Sequence, residues 1–233
     1  MSGSQGEEGQ SIYRLRWIGY GLLVLALIDA IQVLIPPTAA AVGNPEWVLQ
    51  TIGALVERVP VPLLGLALVF FGEDMERTGL ERTFLSLLSW VSLLLAVLSL
   101  LLIPPGLAYT FKINSQNNQQ IAAQAAGQLK QLQDVETQVT QGSAQDIQNL
   151  ATQLNSLGLK VDSQKPEEVR SQILEKVIGA KKDIQPQAQA AQSNLRMALL
   201  KNSVKWNLGA LISSALFFTI WRSTGWTRRR RGY

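Results

Sequence analysis

The sequence predicts an all-α membrane protein: four helical spans, one interfacial amphipathic helix and a long helical hairpin outside the lipid, paired as a weak coiled coil. Three observations carry this expectation. Apolar residues gather into blocks at 17–35, 83–103 and 207–221, each at or near the roughly 20 residues that a helix needs to cross a bilayer core. A Gln- and Ala-rich stretch separates the last two blocks, and its apolar residues recur at helical intervals. Arginines cluster at the two ends of the chain.

Taken in order, residues 1–13 are a polar Gly/Ser/Gln/Glu tail expected to be disordered. The membrane domain follows over 14–110. Its first span, 17–36, stops at Pro36 and Pro37, because proline lacks an amide donor and biases the residue before it away from helix. Asp29 and Gln32 argue against a secretory signal, with cleavage after Ala39, Ala40 and Ala41 as the lesser alternative.

The segment NPEWVLQTIGALVERV opens a helix over 44–58, with Asn44 as N-cap, Pro45 at the first helical position and Glu46 in the first turn. Val48, Ile52, Leu55 and Val59 fall at helical spacing, while Gln50, Ala54, Glu57 and Arg58 mark the other face. Two placements fit: flat at the membrane surface with Trp47 at headgroup depth, or packed on the protein's own spans.

The next run, ERVPVPLLGLALVFFGED, holds about 14 apolar residues, roughly 21 Å of helix against a core of roughly 30 Å. It crosses as a span at 60–77 if Pro60 or Pro62 sits in the first turn and the helix continues past Gly72 to Arg77. The third span, 83–103, is ample in length, and Pro104, Pro105 and Gly106 are expected to break it.

Residues 111–203 form the hairpin. Ile121, Ala125, Leu129, Leu132, Val135 and Val139 mark a seam on the first arm; Val177, Ile184, Ala188, Ala191, Leu195 and Ala198 mark one on the second. The pattern lapses over 142–161, and Pro166 with Glu167 and Glu168 restarts a helix. A disordered Gln-rich tether is the rival reading. The last span and a basic tail occupy 204–233.

Lys and Arg near span ends favour the cytoplasmic side. Arg14 and Arg16 precede the first span, and Arg222 and Arg228 to Arg231 follow the last. Both termini are therefore expected to be cytoplasmic, the number of crossings even, and the hairpin periplasmic or lumenal.

Neither cysteine nor histidine occurs, which excludes thiolate and imidazole chemistry and the usual zinc and haem ligation. No motif for catalysis, cofactor or metal binding is found, and the chain is expected not to be an enzyme. Among candidate sites, Asp29 stands out as an ionisable group inside a span, with Gln32 one turn on. It could pair with Lys205, Asn207 or a serine of the last span, simply reach the interface, serve an ion pathway, or recognise a partner. Gly209 and Ser213 have the small-xxx-small spacing that suits either internal packing or self-association. Trp47, Trp221, Trp226 and Arg228, Arg229, Arg230 and Arg231 are expected to anchor the chain to membrane lipids and set its topology; nucleic acid is not an expected partner.

Three stretches, NPEWVLQTIGALVERVPVPLLGLALVFFGE, INSQNNQQI and LLKNSVKWNLGALISSALFFTIWR, resemble the HpsJ family of cyanobacterial membrane proteins, named for hormogonium polysaccharide synthesis. The resemblance implies a plasma- or thylakoid-membrane resident with an accessory role in exopolysaccharide synthesis or secretion, and brings no catalytic motif. The resulting expectation is a non-enzymatic scaffold, homo-oligomeric or part of a larger membrane complex, acting through its hairpin. The alternative is a channel or transporter subunit that uses Asp29.

Overall fold

The computed structural model describes residues 3–72, 79–143, 145–147, 149, 152 and 166–228. Among these, all regular structure is helical: α1 (Gly3–Leu34), α2 (Pro45–Arg58), α3 (Pro60–Phe70), α4 (Gly79–Leu101), α5 (Ile103–Gln141) and α6 (Pro166–Ser223), with 3-10 turns at Ala39–Ala41 and Thr224–Thr227. Four segments are long and apolar enough to cross a membrane: Gln10–Leu34, Pro45–Phe70, Gly79–Gln141 and Glu167–Thr227. The chain divides into two compact units, Met1–Ile113 with Leu199–Tyr233, and Asn114–Ala198.

In the first unit the segments alternate in direction. Gly19 of α1 lies against Gly65 of α3, and Asp29, further along α1, meets Arg58 at the end of α2, so α1 runs antiparallel to α2 and α3. Ser89 of α4 meets Thr224, while Thr110 of α5 meets Ser203 of α6, so α4 and the start of α5 run antiparallel to α6. The shared core is Leu66, Val69, Leu85, Leu88, Ala96 and Phe217, with Tyr20, Leu23 and Trp226 packed around it. Many remaining large apolar side chains of α1 and α4, such as Leu27, Ile28, Leu87 and Leu94, face outward, as suits a lipid solvent.

Several boundaries differ from the sequence expectation, and proline explains most of them. The Asn44 cap forms as expected, its side chain accepting from the Glu46 amide at 2.9 Å. The helix it starts does not lie apart from the short apolar run, however. Val59 keeps right-handed helical geometry and its carbonyl accepts from Leu63, so α2 and α3 together make one 26-residue apolar segment. Pro60 occupies the first turn of α3, where its missing amide leaves no bond unmade. The crossing therefore gains length at its front.

It gains none behind. α3 ends at Phe70, and Gly72 adopts a left-handed φ of 71°, so the expected continuation past Gly72 does not occur; 73–77 lie outside the described residues. Pro104 and Pro105 likewise start α5 rather than break the chain. The Leu102 amide bonds Leu98, and the Gly106 amide bonds Leu102, which carries helical bonding across the junction. The expected disordered tail is also helical from Gly3 onward, continuous with the first span, even though Gly3, Gly6 and Gly9 are poor helix formers; nothing in the described contacts explains this.

In the second unit α5 and α6 form an antiparallel pair of helices. Val139, Ile147, Val169, Ile173 and Val177 are buried together, with Leu132, Val135 and Leu174 against them. An ion pair joins Lys181 to Glu136, and Arg170 donates to the Gly142 carbonyl at 2.9 Å. The turn opens with a capping box: Ser143 N and Oγ donate to Asp146, whose own amide lies 3.3 Å from Ser143 Oγ. These bonds, made to the ionised carboxylate, hold the Asp146 pKa below the usual aspartate value. The expected seams are covered unevenly. Val139, Val177 and Ile184 are buried, whereas Ala191, Leu195 and Ala198 are exposed, Leu195 to 45%.

Candidate functional site

Two layers of polar and aromatic side chains cross the first unit. One contains Asp29. Its carboxylate Oδ2 lies 2.5 Å from Arg58 Nε, and Arg58 Nη1 also donates to the Ala54 carbonyl at 3.2 Å. Asp29 thus finds a cation on α2, not the Lys205, Asn207 or serine partner on the last span considered from sequence. Lys205 instead pairs with Glu57 at 2.6 Å, and Trp206 Nε1 donates to the same Glu57 oxygen at 3.0 Å.

Glu57 and Arg58 are neighbours in sequence but point to different flanks of α2. That is why one joins α2 to α6 and the other joins α2 to α1. A single helix turn therefore ties three helices by two ion pairs of zero net charge.

Close approach allows this geometry. The Trp206 ring lies over Gly53, where an added Cβ would come within 2.2 Å of ring carbon Cε2. Gly209, one turn along α6, faces Val56, whose Cγ1 would be 2.6 Å from a new Cβ. Ser213 is buried and donates back to the Gly209 carbonyl at 2.7 Å. Of the Gly209/Ser213 pair, Gly209 packs inside the chain against α2. Asn207 and Ser203 complete this level with Gly106 and Thr110: Thr110 Oγ1 lies 3.0 Å from Ser203 Oγ. Gln32 and Trp47 lie outside these bonded groups.

The second layer gathers around Arg16. Although sequence presents it as a topology charge, Arg16 is only 7% exposed. Its guanidinium donates to the Phe71 carbonyl at 3.3 Å and the Gly72 carbonyl at 2.7 Å, and it approaches Glu81 at 3.8 Å. It closes the C-terminal end of α3, whose last carbonyls lack helical partners, and holds the start of α4 beside it.

Tyr13, Trp17 and Tyr20 meet edge to face in sequence along α1, and Tyr20 reaches Phe84. Trp226 packs on the core. Arg228 lies over the Trp221 ring at 4.3 Å and the Trp90 ring at 5.7 Å. Arg229, Arg230 and Arg231 lie outside the described residues.

Over residues 10–225 the chain matches the model of a family described as HpsJ-like protein. It belongs to that family. No curated protein and no solved structure matches it.

In this HpsJ-like chain the two layers are separated by about 20 Å of helix, the rise from Arg16 to Asp29. A bilayer core roughly 30 Å thick that begins at the Arg16 layer would place the Asp29–Arg58 pair about 10 Å short of the other surface. The protein leaves both partners half-uncovered, at 42% and 44%, and a carboxylate at that depth is held as an ion pair. Among the described residues no group of three or more carboxylate, histidine or cysteine side chains is placed to hold a metal.

Proposed function

We propose that this HpsJ-like protein is a non-enzymatic membrane scaffold. Its hairpin, on the exoplasmic face opposite both termini, binds a partner or a second copy in support of exopolysaccharide synthesis or secretion. The observation that carries this reading is the half-open seam of the second unit: closed by Val139, Val169, Ile173 and Val177, and open at Ala191, Leu195 and Ala198. Apolar seam positions that the chain's own helices leave uncovered are surface that another helix completes.

Direct capture of glycan by the hairpin is the weaker version. Residues 114–198 contain no Phe, Tyr or Trp, so they offer no aromatic platform for stacking a sugar ring. Family membership supports the link to polysaccharide production. The pairing of Asp29 with Arg58 favours a fastening role for that carboxylate over an ion pathway.

The natural chain lacks cysteine, so single introduced thiols report without background. A thiol-directed crosslinker in native membranes should join Leu195→Cys to a partner or a second copy, and should leave the buried Ile173→Cys unjoined. Equal, or absent, adducts at the two positions would remove the open seam as the docking surface.

A further inference from the structure

The Arg228 end of the first unit combines charge, stacking and apolar surface in a way that a scaffold role does not require. Arg228 Nη2 donates to the Trp221 carbonyl at 2.8 Å, and its guanidinium carbon lies 4.3 Å from the centre of the Trp221 ring and 5.7 Å from that of Trp90. Its Nε and Nη1 hydrogens have no partner among the described residues. No acidic residue occurs anywhere over 184–233, whereas Arg222 and Arg228 to Arg231 supply five positive charges. Among the described residues this cation is aimed by rings and a helix-end carbonyl and pairs with no carboxylate.

The same place is greasy. Trp90 is 56% exposed, Leu94 continues its face one turn along α4, and the half-exposed Phe218 ring adjoins Trp221 at 5.4 Å. An anion that brings its own apolar chain suits both halves of this patch, whereas a soluble acidic peptide would leave the rings in water.

We propose that Arg228, held beside Trp221 and Trp90, seats the phosphate of an anionic phospholipid, with an acyl chain lying along Trp90, Leu94 and Phe218. Guanidinium recognises phosphate through paired N–H donors, and indole rings settle at headgroup depth, so each group does what its chemistry favours there.

Native mass spectrometry of the full chain in mild detergent, with equal dioleoylphosphatidylglycerol and dioleoylphosphatidylcholine added, tests the seat. The wild-type chain should retain phosphatidylglycerol preferentially, and Arg228→Gln should cut that preference about fivefold, the share of one basic residue at an anionic surface. Arg228→Lys, which keeps the charge but loses the planar fork, should also lose most of it. The proposal is overturned if the wild type shows no preference, if Arg228→Gln keeps it, or if Arg228→Lys keeps it in full, since diffuse attraction would then suffice. Displacement of the lipid by inorganic phosphate or by polyglutamate would overturn it too. Should Arg228→Gln fail to fold, Trp90→Leu, at an exposed ring, carries the same expected loss of preference.

Discussion

The two units hold their helices together by different means. In the first, an apolar core of Leu66, Val69, Leu85, Leu88 and Phe217 is supplemented by small and polar contacts between helices: Gly19 against Gly65, Gly53 under Trp206, Ser89 with Thr224, Thr110 with Ser203, Arg16 on the end of α3. Its large apolar side chains are in good part turned outward. In the second unit the arrangement inverts: Val, Ile and Leu point inward to a narrow core, and Gln, Lys and Glu point outward. The contrast follows from the solvent. Lipid gives apolar side chains no reason to leave it, so close backbone approach and hydrogen bonds do the joining; water drives apolar groups together.

The contrast can be broken at single residues. Ile173→Ala empties a buried site in a core with few other members, and should cost about 2–5 kcal/mol. Hydrogen exchange should then rise across α5 and α6 of the second unit while the first keeps its protection. Gly19→Leu attacks the other kind of joint, because an added Cβ would meet the Gly65 carbonyl oxygen and Val69 Cγ2, each at 2.9 Å. Overpacking there should cost about 1–3 kcal/mol, read as a lower thermal midpoint in detergent. Gly21→Leu, with nothing within 4 Å, is the matched control and should leave the midpoint unchanged.

A smaller effect is expected at the half-exposed ion pair. Asp29→Asn should lower stability by about 1 kcal/mol, the usual size of a polar contact between membrane helices. A double-mutant cycle with Arg58→Gln should show that the two changes do not add. The smallest effect concerns the capping box. Because the folded pKa of Asp146 is depressed, its contribution is fully present above the unfolded value and is lost as pH falls through the folded one. Amide exchange at Ser143 and Asp146 should therefore stay slow through mildly acidic pH and quicken only below the ordinary aspartate range, when intrinsic exchange rates are factored out.

Apolar block length and helix caps made the four membrane-length segments and the two hairpin arms legible in the sequence, and Asn44, Pro60 and Pro166 start helices where expected. Pro104 and Pro105 misled because a proline that ends one helix and a proline that begins the next look alike in one dimension. The bonds from Leu102 to Leu98 and from Gly106 to Leu102 decide the matter. The partner of Asp29 was not legible, since Glu57 and Arg58 are adjacent and only their directions around α2 assign one to Lys205 and the other to Asp29. Gly19 and Gly65 sit singly in apolar runs, where nothing local announces a crossing. Arg16 looked like a free surface charge because its acceptors, the Phe71 and Gly72 carbonyls, carry no sequence signature.

The division of solvents has one direct test: which side of the membrane, if either, each segment faces. Single cysteines at Tyr13 and Gln124 of the otherwise cysteine-free chain can be challenged with a membrane-impermeant maleimide, first on intact cells or sealed vesicles of known orientation and then after permeabilisation. Gln124→Cys should label from the exoplasmic side at once, and Tyr13→Cys only after the membrane is opened. Labelling of both positions from the same side would contradict four crossings and place the hairpin with the chain ends.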